Sequence, residues 1–179
     1  MQVILIHGYL GFPENNWFPW LKTELLSRGY EVTIPSMPNP ALPVEEEWVE
    51  KLKTLIHDPE STILVGHSLG CAAILHYLQN YKDPQFQGIV LVAGFGREFL
   101  KLEKFFGWFK QPLDFSKIKK AAKKWICIHS KNDRLVPFAE GEWLSKKIGA
   151  EFVVQNNGHF LKQEGVIELP AVLEAIESF

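Results

Sequence analysis

The sequence predicts an α/β fold: a six-stranded parallel sheet with helices on both faces. Two observations lead there. Short apolar, β-branched runs recur at 2–6, 30–34, 61–65, 88–92, 125–129 and 151–155, and they are continuous rather than alternating, as in strands covered on both faces. Helical patterns lie between most of these runs, and such alternation along a whole chain is the signature of a parallel sheet wound by helices. With 179 residues, the chain is read as a single domain over 1–179, long enough to bury a substantial core.

The helices follow from local chemistry. Segment 17–28 sets Trp17, Leu21 and Leu25 on one stripe and stops at Gly29, a suitable residue just past a helix end. Segment 44–57 starts behind Pro43, carries Glu45, Glu46 and Glu47 in its first turn, and stripes Val44, Trp48, Leu52, Leu55 and Ile56. An alanine-rich helix is expected over 71–78, another over 137–148 closing at Gly149, and a last one after Pro170. Two stretches break the rhythm. Residues 35–43 hold four prolines and are expected as extended loop. Residues 94–124 exceed an ordinary strand-to-helix connection and are rich in Phe and Trp, so a lid or flap over a site is expected within them.

The most informative motif is Gly66-His67-Ser68-Leu69-Gly70, between an apolar run and a helical stretch. A Gly-x-Ser-x-Gly pattern in that position marks a strand-to-helix turn so tight that the serine hydroxyl projects outward from a strained backbone. The turn also aims the first helical N–H at the place where negative charge develops during acyl transfer.

A serine hydroxyl becomes a good nucleophile only when a base takes its proton and a third group orients that base. Asp133 follows the 125–129 run, in a loop before Pro137, and His159 follows the 151–155 run, in Asn156-Asn157-Gly158-His159-Phe160. The chain order Ser68, Asp133, His159 is that of α/β-hydrolases. Taken alone, Asp133 would be read as a turn former or helix cap and His159 as an ordinary loop histidine. Asp114 is a competing acid, but it lies in the expected flap, where a group that must be held still is poorly placed. Cys71 is a competing nucleophile one turn into the helix, and His7, His67 and His129 also sit near strand ends. An oxyanion hole is expected from the Leu69 N–H and, across His7-Gly8, the Tyr9 N–H, with Leu10 as the alternate. Trp17, Phe18, Trp20 and the aromatic residues of 94–124, Phe105 and Phe106 foremost, are expected to wall an apolar acyl pocket.

The remaining composition excludes more than it adds. A net charge of −2 gives no electrostatic pull toward nucleic acid or anionic membrane. No metal-ligand spacing and no Gly-rich phosphate loop is visible, so no metal or cofactor is expected. Two cysteines in apolar segments, no long apolar span and no leader pattern make cytoplasmic residence the default expectation.

Ile6-His7-Gly8-Tyr9, Asn16-Trp17-Phe18-Pro19-Trp20-Leu21, the Gly-His-Ser-Leu-Gly turn, the run 130–137 and Asn157-Gly158-His159-Phe160 together resemble the small YdeN-like, retinoblastoma-binding-protein-type serine hydrolases. The resemblance spans essentially the whole chain. It implies a reduced α/β-hydrolase fold that begins at the strand larger members place third. It also implies Ser68, Asp133 and His159 as a triad and an esterase-like activity on a small acyl substrate. Residues 94–124 carry no fixed family signature, and no Leu-x-Cys-x-Glu segment occurs. The alternative from another class is a catalytically silent hydrolase fold that serves as a protein-binding scaffold.

Overall fold

The computed structural model describes residues 1–81, 85–99 and 107–179. The six apolar runs become β1 (Gln2–Ile6), β2 (Glu31–Thr33), β3 (Thr62–His67), β4 (Gly88–Val92), β5 (Trp125–Ser130) and β6 (Glu151–Gln155). They form one sheet in the order β2-β1-β3-β4-β5-β6, every pair parallel. The helices are α1 (Phe18–Ser27), α2 (Glu45–Lys53), α3 (Leu69–Asn80), a short α4 (Phe115–Ile118), α5 (Phe138–Ile148) and α6 (Pro170–Glu177).

Strand side chains alternate between two apolar layers, as a pleat of period two requires. Ile4, Ile6, Leu64, Leu91 and Cys127 face the layer built with α2, α3 and α5. Val3, Leu5, Ile63, Val65, Val90 and Ile128 face the layer built with α1 and α6. Both layers bury large apolar area, the dominant favourable contribution to folding.

Several boundaries differ from the sequence reading, each for a local reason. β3 starts at Thr62 because Pro59–Ser61 forms a 3₁₀ turn, and it runs on to His67, which is still in register with Val92 of β4. β2 is only three residues long and pairs with β1 alone at one edge of the sheet. α2 ends at Lys53, where the Thr54 hydroxyl donates to the Lys51 carbonyl (2.7 Å) and takes up one of the orphan acceptors of the last turn. α3 begins at Leu69, immediately after the turn serine rather than at Cys71.

Within 94–124, the described residues are packed rather than detached. Trp108 is buried and its Nε1–H donates to the Pro43 carbonyl (3.0 Å). The Phe115 ring stands edge-on to Trp143, with centroids 5.4 Å apart. Arg97 forms a two-pronged pair with Glu140 of α5 (2.8 and 2.9 Å) and lies over the Trp143 ring at 4.3 Å. Phe105 and Phe106 lie outside the described residues, so the expected lid is described only at its two ends.

The turn between β3 and α3 depends on Gly70, where a Cβ would run into the carbonyl oxygens of Ile6 and His7. These are backbone atoms of a central strand and cannot move aside. Gly70→Ala is expected to destabilise the fold by about 3 kcal/mol, the upper part of the usual overpacking range, read as a lowered midpoint in urea.

Candidate active site

Ser68 sits between β3 and α3 with φ 55° and ψ −119°. A positive φ is rare for a residue other than glycine and costs on the order of 1–3 kcal/mol. The surrounding backbone sustains it. The Ser68 N–H donates to the Val92 carbonyl (2.9 Å), and its own carbonyl accepts from Cys71 N–H (3.0 Å). At Gly66 a Cβ would lie 2.8 Å from the Cys71 nitrogen, so the helix can approach the strand only where no side chain intervenes. Ser68 therefore stands partly exposed while its neighbours on both sides are buried.

The two other expected partners converge on it. His159 Nε2 lies 2.9 Å from Ser68 Oγ, and His159 Nδ1 lies 2.8 Å from Asp133 Oδ2. With Nδ1–H donating to the carboxylate, Nε2 is left as an acceptor for the serine hydroxyl. The Asp133 side chain is fully shielded from solvent. Burial alone would raise its pKa, but the hydrogen bond from His159 and those from the Val136 and Leu135 N–H groups hold it below the ordinary carboxylate value. The two backbone bonds, 2.9 Å from Val136 and 2.8 Å from Leu135, both reach Oδ1. One oxygen thus serves the loop and the other serves the histidine.

The competing residues are accounted for by their positions. Asp114 caps α4, accepting from the Ser116 and Lys117 N–H groups. The Cys71 thiol is buried and donates to the Val92 carbonyl, and burial pushes its pKa well above the ordinary thiol value. His129 Nε2–H donates to the Val136 carbonyl (3.0 Å) and so braces the loop that carries Asp133. His67 Nε2–H donates to the His159 carbonyl (2.9 Å) from a ring edge-on to Trp17 and Phe18. Burial foremost, then the His159 charge, lowers the His67 pKa to about 3.

His7 accepts the Met37 N–H at Nε2 (3.1 Å) and, with its proton therefore on Nδ1, donates to the Gly8 carbonyl (2.9 Å). This ties the turn after β1 to the proline-rich loop. The Gly11 N–H closes that turn on the Gly8 carbonyl (3.0 Å), with Leu10 in the left-handed region at φ 54°. The Leu10 N–H is committed to the Pro40 carbonyl (2.9 Å), which removes it as an alternate oxyanion donor. Gly8 packs so close that a Cβ there would lie 2.9 Å from Ser68 Cβ. Tyr9 follows Gly8 in this turn, and Leu69 follows Ser68 in the other.

Ser68 opens into a cleft of about 720 Å³ lined by Tyr9, Leu10, Phe95, Phe99, Leu135 and Leu161 among others. No carboxylate borders it among the described residues, and Lys162 is its one formally charged side chain there. Trp17 does not reach the cleft. It is wholly buried in the α1/α6 layer, so the expectation that it lines the pocket is corrected, whereas Phe18 does border the cleft. Among the described residues, no group of three or more His, Cys, Asp or Glu is gathered as a metal site. No helix among them is long and apolar enough to cross a membrane.

Several supporting side chains were not singled out by the sequence reading. Ser130 Oγ accepts the Asn157 N–H, Asn132 Oδ1 accepts the Gly158 N–H, and Asn16 Oδ1 accepts the Lys162 N–H, each at 2.9 Å. Glu164 accepts from the His159 N–H at 2.7 Å. Ser and Asn beside an irregular loop are typical of side-chain-to-backbone bonding, but that rule names residue types and not distant partners.

The parallel sheet, the helices on both its faces and the strained turn serine define an α/β-hydrolase fold. The chain belongs to the serine hydrolase family, whose description, "Serine hydrolase", matches residues 3–178. It is 41% identical to YdeN of Bacillus subtilis (strain 168) over 99% of this chain and 95% of that protein. The crystal structure of the ydeN gene product superposes with a TM-score of 0.93 at 40% identity, covering 99% of this chain and 97% of the other. The rat serine hydrolase RBBP9 is 26% identical over 84% of this chain and 81% of its own length. This chain is accordingly a serine hydrolase.

The buried histidines set an acid limit on stability. His67 folds with its pKa lowered from 6.5 to about 3, so below pH ~6.5 the unfolded chain takes up a proton that the folded chain refuses. Its contribution is present in full above that pH and is lost as pH falls toward 3. His67→Gln keeps a donor for the His159 carbonyl but cannot titrate. Unfolding free energies in urea between pH 7 and 4 should therefore fall less steeply in the variant, by about 1 kcal/mol per pH unit on average.

Proposed function

We propose that this hydrolase cleaves small esters with an apolar acyl group through a covalent acyl-enzyme on Ser68. The observation that carries the reading is the continuous relay from Ser68 Oγ to His159 Nε2 (2.9 Å) and from His159 Nδ1 to Asp133 Oδ2 (2.8 Å). His159 takes the hydroxyl proton as Oγ attacks the ester carbonyl. Asp133 keeps the imidazole in the tautomer with its proton on Nδ1 and stabilises the imidazolium that forms.

The tetrahedral oxyanion is met by the N–H groups of Leu69 and Tyr9. Leu69 opens α3, where the first N–H groups have no intrahelical partner and the helix dipole favours negative charge. The imidazolium then gives its proton to the leaving alkoxide as the C–O bond breaks. Water attacks the acyl carbonyl by the reverse route, His159 accepting its proton, and the acid is released with Ser68 restored. Phe95, Phe99, Leu135 and Leu161 supply an apolar wall for the acyl group, and the lack of a carboxylate among the described lining residues suits a neutral substrate or an anionic product.

Labelling with a fluorophosphonate probe tests the relay. Wild type should label, while Ser68→Ala and His159→Ala should not, each losing about 10⁶ in kcat, with Asp133→Asn losing about 10⁴. The losses should not add in double variants. Absence of labelling in folded wild type would instead favour a silent scaffold. Replacing Tyr9 should be milder than replacing Ser68, because the donor is the backbone N–H.

A panel of p-nitrophenyl esters of increasing chain length tests the wall. Phe99→Ala should shift the preference toward longer acyl chains, and unchanged preference with lowered stability would count against it. The same panel applied to Phe105→Ala and Phe106→Ala tests whether they share that wall.

A further inference from the structure

We infer that Glu164 is a positioning residue: its carboxylate fills an anion-binding nest folded from the backbone that carries His159, and thereby holds the imidazole at Ser68. The inference rests on the proposed role of His159 as base. Glu164 Oε2 accepts the N–H of His159 at 2.7 Å and the N–H of Leu161 at 3.1 Å. Between those two amides Phe160 is left-handed at φ 59°, the kind of conformation that turns alternate N–H groups onto one anion. Phe160 tolerates that backbone because its ring is wholly buried in the α1/α6 layer.

The site is shaped for this carboxylate. Gly158 is also left-handed, at φ 58°, and a Cβ there would run into the Glu164 carboxyl group. The 3₁₀ turn Lys162–Glu164 brings the side chain back over its own loop and ends at Gly165, φ 86°. The Glu164 and Val166 N–H groups both close on the Leu161 carbonyl, at 2.9 and 3.1 Å. Along 158–162 the loop forms no ladder with the sheet. Its amides at Gly158, His159, Leu161 and Lys162 are instead taken by side-chain oxygens of Asn132, Glu164 and Asn16.

Glu164 is the side chain bonded to the amide of the proposed base itself. On the opposite side, His67 holds the carbonyl of the same residue. With both backbone polar groups fixed, the imidazole swings only about its side-chain torsions, and Asp133 fixes those. Removing the carboxylate leaves two amides to find other partners, and the loop shifts. A displacement of about 1 Å at a reacting group can cost on the order of 100-fold in rate.

Steady-state hydrolysis of a p-nitrophenyl ester by Glu164→Ala and Glu164→Gln, with melting curves, tests the nest. Glu164→Ala should lose about 10- to 100-fold in kcat with little change in KM. Glu164→Gln, whose amide oxygen can accept the same two N–H groups, should keep most of the rate. Excess sodium formate, against sodium chloride at matched ionic strength, should restore part of the Glu164→Ala rate by refilling the emptied nest. Wild-type kcat in Glu164→Ala would overturn the inference, as would equal losses in both variants that follow the unfolded fraction and ignore formate. Ser68→Ala and His159→Ala run alongside separate the two readings. Full activity in those overturns the assignment of the base, whereas inactive variants beside an unaffected Glu164→Ala overturn the nest alone.

Discussion

At the junction of β3 and α3 the backbone passes through φ 55° and ψ −119°, a conformation that serine holds only under constraint. The constraint comes from close backbone approach on three sides. Gly66 lets the start of α3 fold down onto β3, Gly70 lets α3 rest on the carbonyls at the end of β1, and Gly8 lets the turn after β1 pass over Ser68. These contacts bring the hydroxyl to the floor of the cleft. Tyr9 and Leu69 border the same cleft. Widening any one of these contacts would move Ser68 relative to the turn after β1 and the start of α3.

Histidine plays two different parts around this junction. His7, His67 and His129 are buried, and burial foremost depresses the pKa of each. Each is used as a neutral hydrogen-bonding strut: His7 to the Met37 amide and Gly8 carbonyl, His67 to the His159 carbonyl, His129 to the Val136 carbonyl. His159 alone has a carboxylate on Nδ1 and a hydroxyl on Nε2. A neutral imidazole can brace a loop without adding a positive charge that would compete with the proposed base for Asp133.

The strands were legible because both faces of the sheet are covered, which writes continuous apolar runs into the chain. The trio Ser68, Asp133 and His159 was legible because the fold delivers strand ends to one edge, so position along the chain stands in for position in space. Trp17 was misplaced because a helical stripe does not say which large residue reaches a cleft and which packs behind it. Glu164 carried no signal, since a carboxylate five residues past a histidine looks like solvated surface. Its significance comes from Phe160 and Gly158 adopting left-handed conformations, which no periodicity reveals.

The side-chain bonds from Ser130 to Asn157 and from Asn132 to Gly158 join the loop after β5 to the loop after β6. The proposed acid and base are therefore parts of one unit, while Ser68 and Leu69 stand at the β3–α3 junction and Tyr9 in the turn after β1. β4 lies between these parts in the sheet, and the His67 bond to the His159 carbonyl ties them together. A change that shifts one of the two loops after β5 and β6 is therefore passed to the other, and through His67 to the strand that ends at Ser68.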